Sequence, residues 1–475
     1  MAKPTFAWLR AMAVAVPFVL SQSARAADEQ KAFAIAKIQL TPDRAELRRL
    51  SAAGYDIAGV NLKTNTADII LQGQKDSLSV MALGLNVLGI RSIDALEAPD
   101  SSYKTPEKVT EIIQSWVRQY PTLAHLESLG KSLNGRDIWG VRITNEATGP
   151  AKKPTVLFNA EHHAREVMTV EVVLDTGDYL LSNYGKDPKV TKWVDDSEIW
   201  LIPMVNPDGS NQVWSGKNMW RKNNRGNYGV DINRNYPFKW AGCGGSSAFP
   251  WAADYHGAAA ASEPETQVMM QFIQRTQPVF NISYHSYSEI VIYPYGCDGQ
   301  HAETRDVVEP IGQAMAESIP SETGDGTYRA GTAWELLYDV DGSDIDWMYH
   351  DHHVLAYCIE VTSDQSGFQP PFSHRQSTVE SVRPAWQLLL DKLDQSGIRG
   401  WVHDKQGHDV TDASVAIKGN NSFSDQPGVW RLKQNGSFHA ILNPGNYQVS
   451  ITINGKTIDR DVTVGAKVAS LDIEI

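Results

Sequence analysis

The chain has 475 residues, 42% hydrophobic and 21% charged, a balance typical of soluble globular proteins that disfavours disordered and membrane-embedded classes. Its 43 Lys and Arg against 56 Asp and Glu leave a formal charge of -13 with no basic block above that background, so no nucleic-acid partner is expected. The length exceeds one ordinary core and predicts two to four domains.

Residues 1–26 read as a signal peptide. Lys3 and Arg10 precede the apolar stretch Ala11 to Leu20, and Ala24-Arg25-Ala26 supplies small residues around a cleavage point. That stretch is far shorter than the roughly 20 residues a spanning helix needs, so a secreted or periplasmic chain without stable membrane insertion is expected. Ala32 to Leu40 reads as a strand, Thr41-Pro42 as the capped start of a helix, Ala67 to Leu71 as a second strand and Ser77 to Leu85 as a second helix. Residues 27–100 are therefore expected to form a small α/β module, one without a cluster of chemistry-bearing side chains.

Thr105-Pro106 opens a new helix whose Val109, Ile112, Ile113, Trp116, Val117 and Tyr120 repeat on one face. Beyond it, strand-like runs at Thr155 to Phe158, Ile199 to Met204, Val279 to Tyr284 and Val354 to Val361 alternate with helical ones. This pattern predicts an α/β domain over 101–396 with a largely buried mixed sheet, which would bind ligands at the carboxyl ends of its strands. From 397 to 475 the pattern changes. Short alternating runs such as Val415 and Ile417, or Tyr447, Val449, Ile451 and Ile453, predict a β-sandwich. Cys243, Cys297 and Cys358 permit at most one internal disulfide.

The sharpest chemical signal is His163-Ala164-Arg165-Glu166, just beyond the strand ending at Phe158. A His and a Glu three apart at a strand-helix junction can turn a nitrogen and a carboxylate toward one point, although the pair alone is common on protein surfaces. Catalytic zinc needs three protein ligands and an open position. His285 follows another strand, Val279 to Tyr284, and two such strand ends in one domain favour a His, Glu, His zinc site over a structural histidine. His162 lacks the spacing to Glu166 and is assigned no role.

These residues stand in an order that resembles the zinc carboxypeptidase family typified by the pancreatic digestive carboxypeptidases. The resemblance covers roughly 105 to 390. It rests on His163-Ala164-Arg165-Glu166, Asn206-Pro207-Asp208-Gly209, Trp220-Arg221-Lys222, Asp231-Ile232-Asn233-Arg234-Asn235, His285-Ser286-Tyr287, Tyr338, Gly342-Ser343-Asp344-Ile345-Asp346-Trp347 and Ile359-Glu360. It implies one zinc per chain held by His163, Glu166 and His285, with Asp231 orienting His163. It makes Glu360 the general base and acid, and Arg221 the stabiliser of the oxyanion. Asn233 and Arg234 would grip a terminal carboxylate, Tyr338 would close over it, and Arg165 and Tyr287 would bind substrate along the groove.

The resemblance further implies peptide or protein substrates with a free C-terminus. Ile345 matches the residue that sets specificity, and Ala333, Leu337 and Gly296 fall at wall positions, so apolar or aromatic terminal residues are favoured. Asp344 and Glu335 are close enough in sequence to admit a basic side chain as well. Residues 27–100 loosely resemble the prosegments of secreted carboxypeptidases, which implies a zymogen, and 397–475 resemble a transthyretin-like module. A monomer is expected. Val167 stands where pancreatic members have Trp, and Cys358 should share a strand face with Glu360. Two rival readings are an amidohydrolase of the aspartoacylase type, which should lack the Tyr338 to Glu360 segment, and an inactive binding protein, which should lack Glu360 or a ligand.

Overall fold

The computed structural model describes residues 33–72, 80, 82–93, 99–148, 152–419 and 429–475. The expected signal peptide, and residues 77–79 and 81 of the helix expected at Ser77 to Leu85, lie outside these residues.

The first described unit is a four-stranded antiparallel sheet of β1 (Phe33–Gln39), β2 (Asp56–Asn61), β3 (Thr66–Gln72) and β4 (Asn86–Ile93), in the order β2-β3-β1-β4. The helix Ala45–Ala52 contributes Leu47 and Leu50 to a small core with Ala36, Ile38, Ile57, Val60 and Ile69. The helix does not begin at Thr41-Pro42. The Thr41 hydroxyl donates to Asp43 and Glu46, which closes a turn, and the helix starts at Ala45 after Arg44 in a left-handed conformation. Strands β2 and β4 were not expected from sequence, because neither carries an unbroken apolar run.

The central sheet has eight strands: β5 (Ala124–Lys131), β6 (Asp137–Ile143), β7 (Thr155–Ala160), β8 (Glu198–Ile202), β9 (Phe280–Ser286), β10 (Ile290–Ile292), β11 (Arg329–Gly331) and β12 (Leu355–Val361), ordered β11-β10-β12-β9-β7-β8-β6-β5. The inner run β12-β9-β7-β8 is parallel, and antiparallel β10 and β6 flank it. Every residue of β7 is buried, because helices cover both faces. Val156 and Phe158 pack on one side with the helices Val167–Asn183 and Arg375–Lys392, whereas Leu157 packs on the other with Phe272 and Trp347. This two-sided burial makes the run apolar without alternation, while successive side chains still take opposite faces. The helix Pro106–Gln119 begins as expected, with the Thr105 hydroxyl accepting from the Lys108 N–H.

The last stretch forms two sheets from β13 (Gly397–His403), β14 (Ser414–Gly419), β15 (Val429–Arg431), β16 (Ser437–Ile441), β17 (Gly445–Ile453), β18 (Lys456–Val464) and β19 (Val468–Glu474), ordered β16-β13-β19 and β15-β14-β17-β18. Ile398, Val402 and Phe438 from one sheet share a core with Val415, Ile417, Val449 and Ile451 from the other. Cys243 and Cys297 form a disulfide, and Cys358 is a buried free thiol. No helix among the described residues is long and apolar enough to cross a membrane.

Candidate active site

The parallel run brings three strand ends side by side, and each delivers part of one site. His163 and Glu166 stand in the turn between β7 and the helix Val167–Asn183, with Glu166 immediately before its first turn. Strand β9 continues further than its apolar run and carries His285 within it. His163 Nδ1 lies 2.9 Å from Glu166 Oε1 and 3.1 Å from His285 Nδ1, and His285 Nδ1 lies 3.2 Å from Glu166 Oε2. The other ring nitrogen of His163 faces Asp231 Oδ1 at 3.1 Å, which fixes the ring with Nδ1 turned inward.

Two nitrogens and a carboxylate thus converge, with one ligating atom of each side chain within 4.8 Å of the others. Lone pairs packed so closely need a shared electrophile, and this donor set suits zinc. Burial alone would raise the Glu166 carboxyl, but the imidazoles of His163 and His285 hold it well below its ordinary value. Glu166 in turn lifts His285 against the effect of burial.

Asp231 is the hub of the polar wall. It accepts from Arg221 Nε at 3.1 Å and Nη2 at 2.8 Å, and from the Asn233 backbone N–H at 3.0 Å. Burial would raise Asp231, yet Arg221 and His163 keep it well below the usual carboxylate range. Arg221 Nη1 also stands 3.9 Å from Glu166 Oε1, at the edge of the triad. Asn233 Oδ1 accepts from the Asp344 N–H at 2.9 Å, and Arg234 Nη1 donates to the Asn233 carbonyl at 2.9 Å. These bonds hold Asn233 and Arg234 at the cleft wall, where Tyr338 joins them.

Glu360 lies within β12, directly opposite His285 in parallel register. Its Oε2 is buried without a hydrogen-bond partner. Burial, reinforced by Glu166, pushes its carboxyl up to about 7. Cys358, two residues earlier on the same strand face, lines the same cleft, as expected.

The cleft, about 720 Å³ of space between atoms with the open solvent at its mouth included, continues past Glu360 to Ile345, Ala333, Leu337 and Gly296. Bare Gly296 is needed there, because a Cβ would come within 2.5 Å of the Val340 carbonyl oxygen. Sequence treated Asp344 and Glu335 alike as acids near this end, and the structure separates them. Glu335 is exposed and closes a capping box with Thr332, away from the cleft. Asp344 is fully buried and lines the cleft, and neither carboxylate oxygen has a hydrogen-bond partner. The His162 Nε2 atom lies 3.8 Å from Asp344 Oδ2, but burial lowers that imidazole to about 4, so it offers no cation near neutral pH.

Over the mouth lies the N-terminal sheet, with Ile57, Ala58, Gly59 and Val60 of β2 lining the cleft. Gly59 touches Tyr287 so closely that a Cβ would sit 2.5 Å from its ring. Arg165 and Tyr287, expected along an open groove, are both engaged by this sheet. Arg165 makes a bidentate pair with Asp56, and the Tyr287 hydroxyl donates to Asp68 at 3.0 Å. Val60 N–H donates to the Ser288 hydroxyl, and Lys37 bridges Asp68 and Asp364. Sequence gave no sign of Asp56 or Asp68, since each partner lies more than a hundred residues away.

Residues 109–385 match the family model described as zinc carboxypeptidase. A zinc carboxypeptidase of Saccharothrix mutabilis subsp. capreolus is 34% identical over 306 residues, covering 61% of this chain and 68% of that protein. Carboxypeptidase A2 of Rattus norvegicus is 31% identical over 299 residues, covering 62% and 70%. Among solved structures, carboxypeptidase A from Helicoverpa armigera superposes with a TM-score of 0.64 at 20% identity, over 76% of this chain and 96% of that one.

Proposed function

Since the chain belongs to the zinc carboxypeptidase family, and is therefore a zinc-using exopeptidase, we propose how its own residues divide the work. The carrying observation is the register of Glu360 beside His285, at the edge of the converging His163, Glu166 and His285. These three would hold the zinc, one per chain. Zinc, when bound, acidifies a water and polarises the scissile carbonyl.

Glu360 takes the proton of the attacking water and delivers it to the leaving amine, a role suited to a carboxyl raised to about 7. Arg221, kept cationic by Asp231, stabilises the oxyanion that develops beside the metal ligands. Asn233 and Arg234 grip the free terminal carboxylate, and Tyr338 closes the cleft over it. Asp231 acts on His163 by fixing its ring. Once the N-terminal sheet is gone, Arg165 and Tyr287 bind substrate residues further from the terminus.

The terminal side chain enters the end lined by Ile345, Ala333, Leu337 and Gly296, which favours apolar and aromatic residues. Burying such a side chain is worth about 1.5 to 3 kcal/mol. The unpaired carboxylate of Asp344 supports acceptance of Lys or Arg there too, giving dual specificity.

Residues 1–26 are a signal peptide of a secreted or periplasmic monomer in this reading. The module at 27–100 is an inhibitory prosegment, supported by the Asp56–Arg165 pair; 101–396 is the catalytic domain and 397–475 a transthyretin-like module. Metal analysis tests the core of the proposal. One zinc per chain is expected, with activity lost on chelation by 1,10-phenanthroline and the apo chain still folded on its large core. A metal-free preparation that keeps its activity would overturn it.

A further inference from the structure

A second pocket lies at the amino ends of β7 and β9, the side of the sheet opposite the cleft, where the C-terminal sheets meet the catalytic sheet. Lys152 and His352 line it from the catalytic side, and Arg431, Lys433 and His439 from the C-terminal side. It spans about 410 Å³ of space between atoms, the open solvent at its mouth included, and none of its described lining residues is Asp or Glu. In a chain of charge -13, so concentrated a set of basic side chains is against the average.

Of the lysines and the arginine that line it, only Lys433 is in an ion pair among the described residues. Lys433 Nζ is 2.6 Å from Glu198 Oε2 and also donates to Thr155 Oγ1. Lys152 stacks its ammonium over the Trp401 ring, and neither it nor Arg431 forms an ion pair among the described residues. His439 has both ring nitrogens shut off from solvent without a hydrogen-bond partner. Directly opposite it on β13 stands Arg399, whose Nε and Nη2 are likewise unpartnered. An unpartnered buried donor is costly, and an oxyanion in this pocket would give the His439 ring an acceptor while pairing with Lys152 and Arg431.

We propose that this pocket binds a phosphate-class oxyanion, held between Lys152 of the catalytic domain and Arg431 and His439 of the C-terminal sheets, so that the ion clamps the two together. Guanidinium and ammonium groups around a tetrahedral anion form strong charge-assisted bonds. The ion is free phosphate or the headgroup of a phosphomonoester, since both present the same oxygens.

The test titrates the full-length, zinc-loaded protein with inorganic phosphate and separately with glycerol 3-phosphate, against sodium chloride of equal ionic strength. Calorimetry should report saturable one-to-one binding of at least one of the two, with a raised melting temperature that chloride does not reproduce. Binding of glycerol 3-phosphate alone would identify the esterified source. The double variant Lys152→Ala, Arg431→Ala alters side chains that are not in the core, and it should bind about tenfold more weakly or worse with unchanged kcat/KM. Absence of saturable binding to either probe, or equal binding by the double variant, overturns the proposal.

Discussion

Arg165 presents both terminal nitrogens to the two oxygens of Asp56, Nη1 to Oδ2 at 2.5 Å and Nη2 to Oδ1 at 2.7 Å, across the boundary between the N-terminal sheet and the catalytic domain. Arg165 is 1% exposed and its guanidinium also lies 4.1 Å from the Phe368 ring, so the pair is shielded from solvent. Removing one partner of such a pair costs about 3 to 5 kcal/mol, because the other charge is left buried and unpaired. Asp56→Ala should therefore loosen the sheet and raise the peptidase activity of the uncut chain toward that of a chain beginning at Ser101. Steady-state rates of the three proteins check this. A Ser101 chain no more active than the uncut one would contradict an inhibitory role.

Glu360→Gln should leave zinc content and peptide affinity close to wild type while kcat falls by about 10² to 10⁴. Glu360 works as a base in its ionised form and its carboxyl is raised to about 7, so activity should fall as pH drops through the folded value. A cation at His163, Glu166 and His285 pulls that value downward, so the acid limb should lie at or below about 7. A pH profile of kcat/KM measures it. Preserved turnover with weakened affinity in the Gln variant would remove Glu360 from the chemistry.

Asp344→Asn separates the two halves of the specificity reading. Loss of the Asp344 carboxylate, which lines the cleft beside Ile345 with neither oxygen hydrogen-bonded, should lower kcat/KM for peptides ending in Lys or Arg by about tenfold or more, with little change for those ending in Phe or Leu. Comparison of four peptides identical but for the last residue provides the measurement. Equal effects on all four would mean that Asp344 acts on the fold, and a clear wild-type preference for Lys or Arg would show that Ile345 does not control the pocket.

The catalytic strands and their ends were legible because β7 and β12 are buried on both faces and read as near-continuous apolar runs, while β9 carries Phe280, Ile282 and Tyr284 in alternation. His163, Glu166 and His285 converge as their spacing and resemblance implied. What sequence left unread is tertiary. Asp56 and Asp68 carry no local signature, since their meaning comes from Arg165 and Tyr287, which lie 109 and 219 residues away. The contrast between Asp344 and Glu335 was equally hidden: both are acids near the specificity segment, and only their burial and partners tell them apart. The helix start near Thr41 was misplaced because the Thr41 hydroxyl bonds side chains two and five residues ahead, where a cap would bond a backbone N–H.

Exopeptidase action on a free terminus is tested most directly by incubating the zinc-loaded chain beginning at Ser101 with one peptide in two forms, free acid and C-terminal amide, and following both by mass spectrometry. With Asn233 and Arg234 reading the carboxylate, the free acid should lose single residues from its C-terminus, and the amide should remain uncut. Equal cleavage of the two, or fragments from internal bonds, would contradict the account.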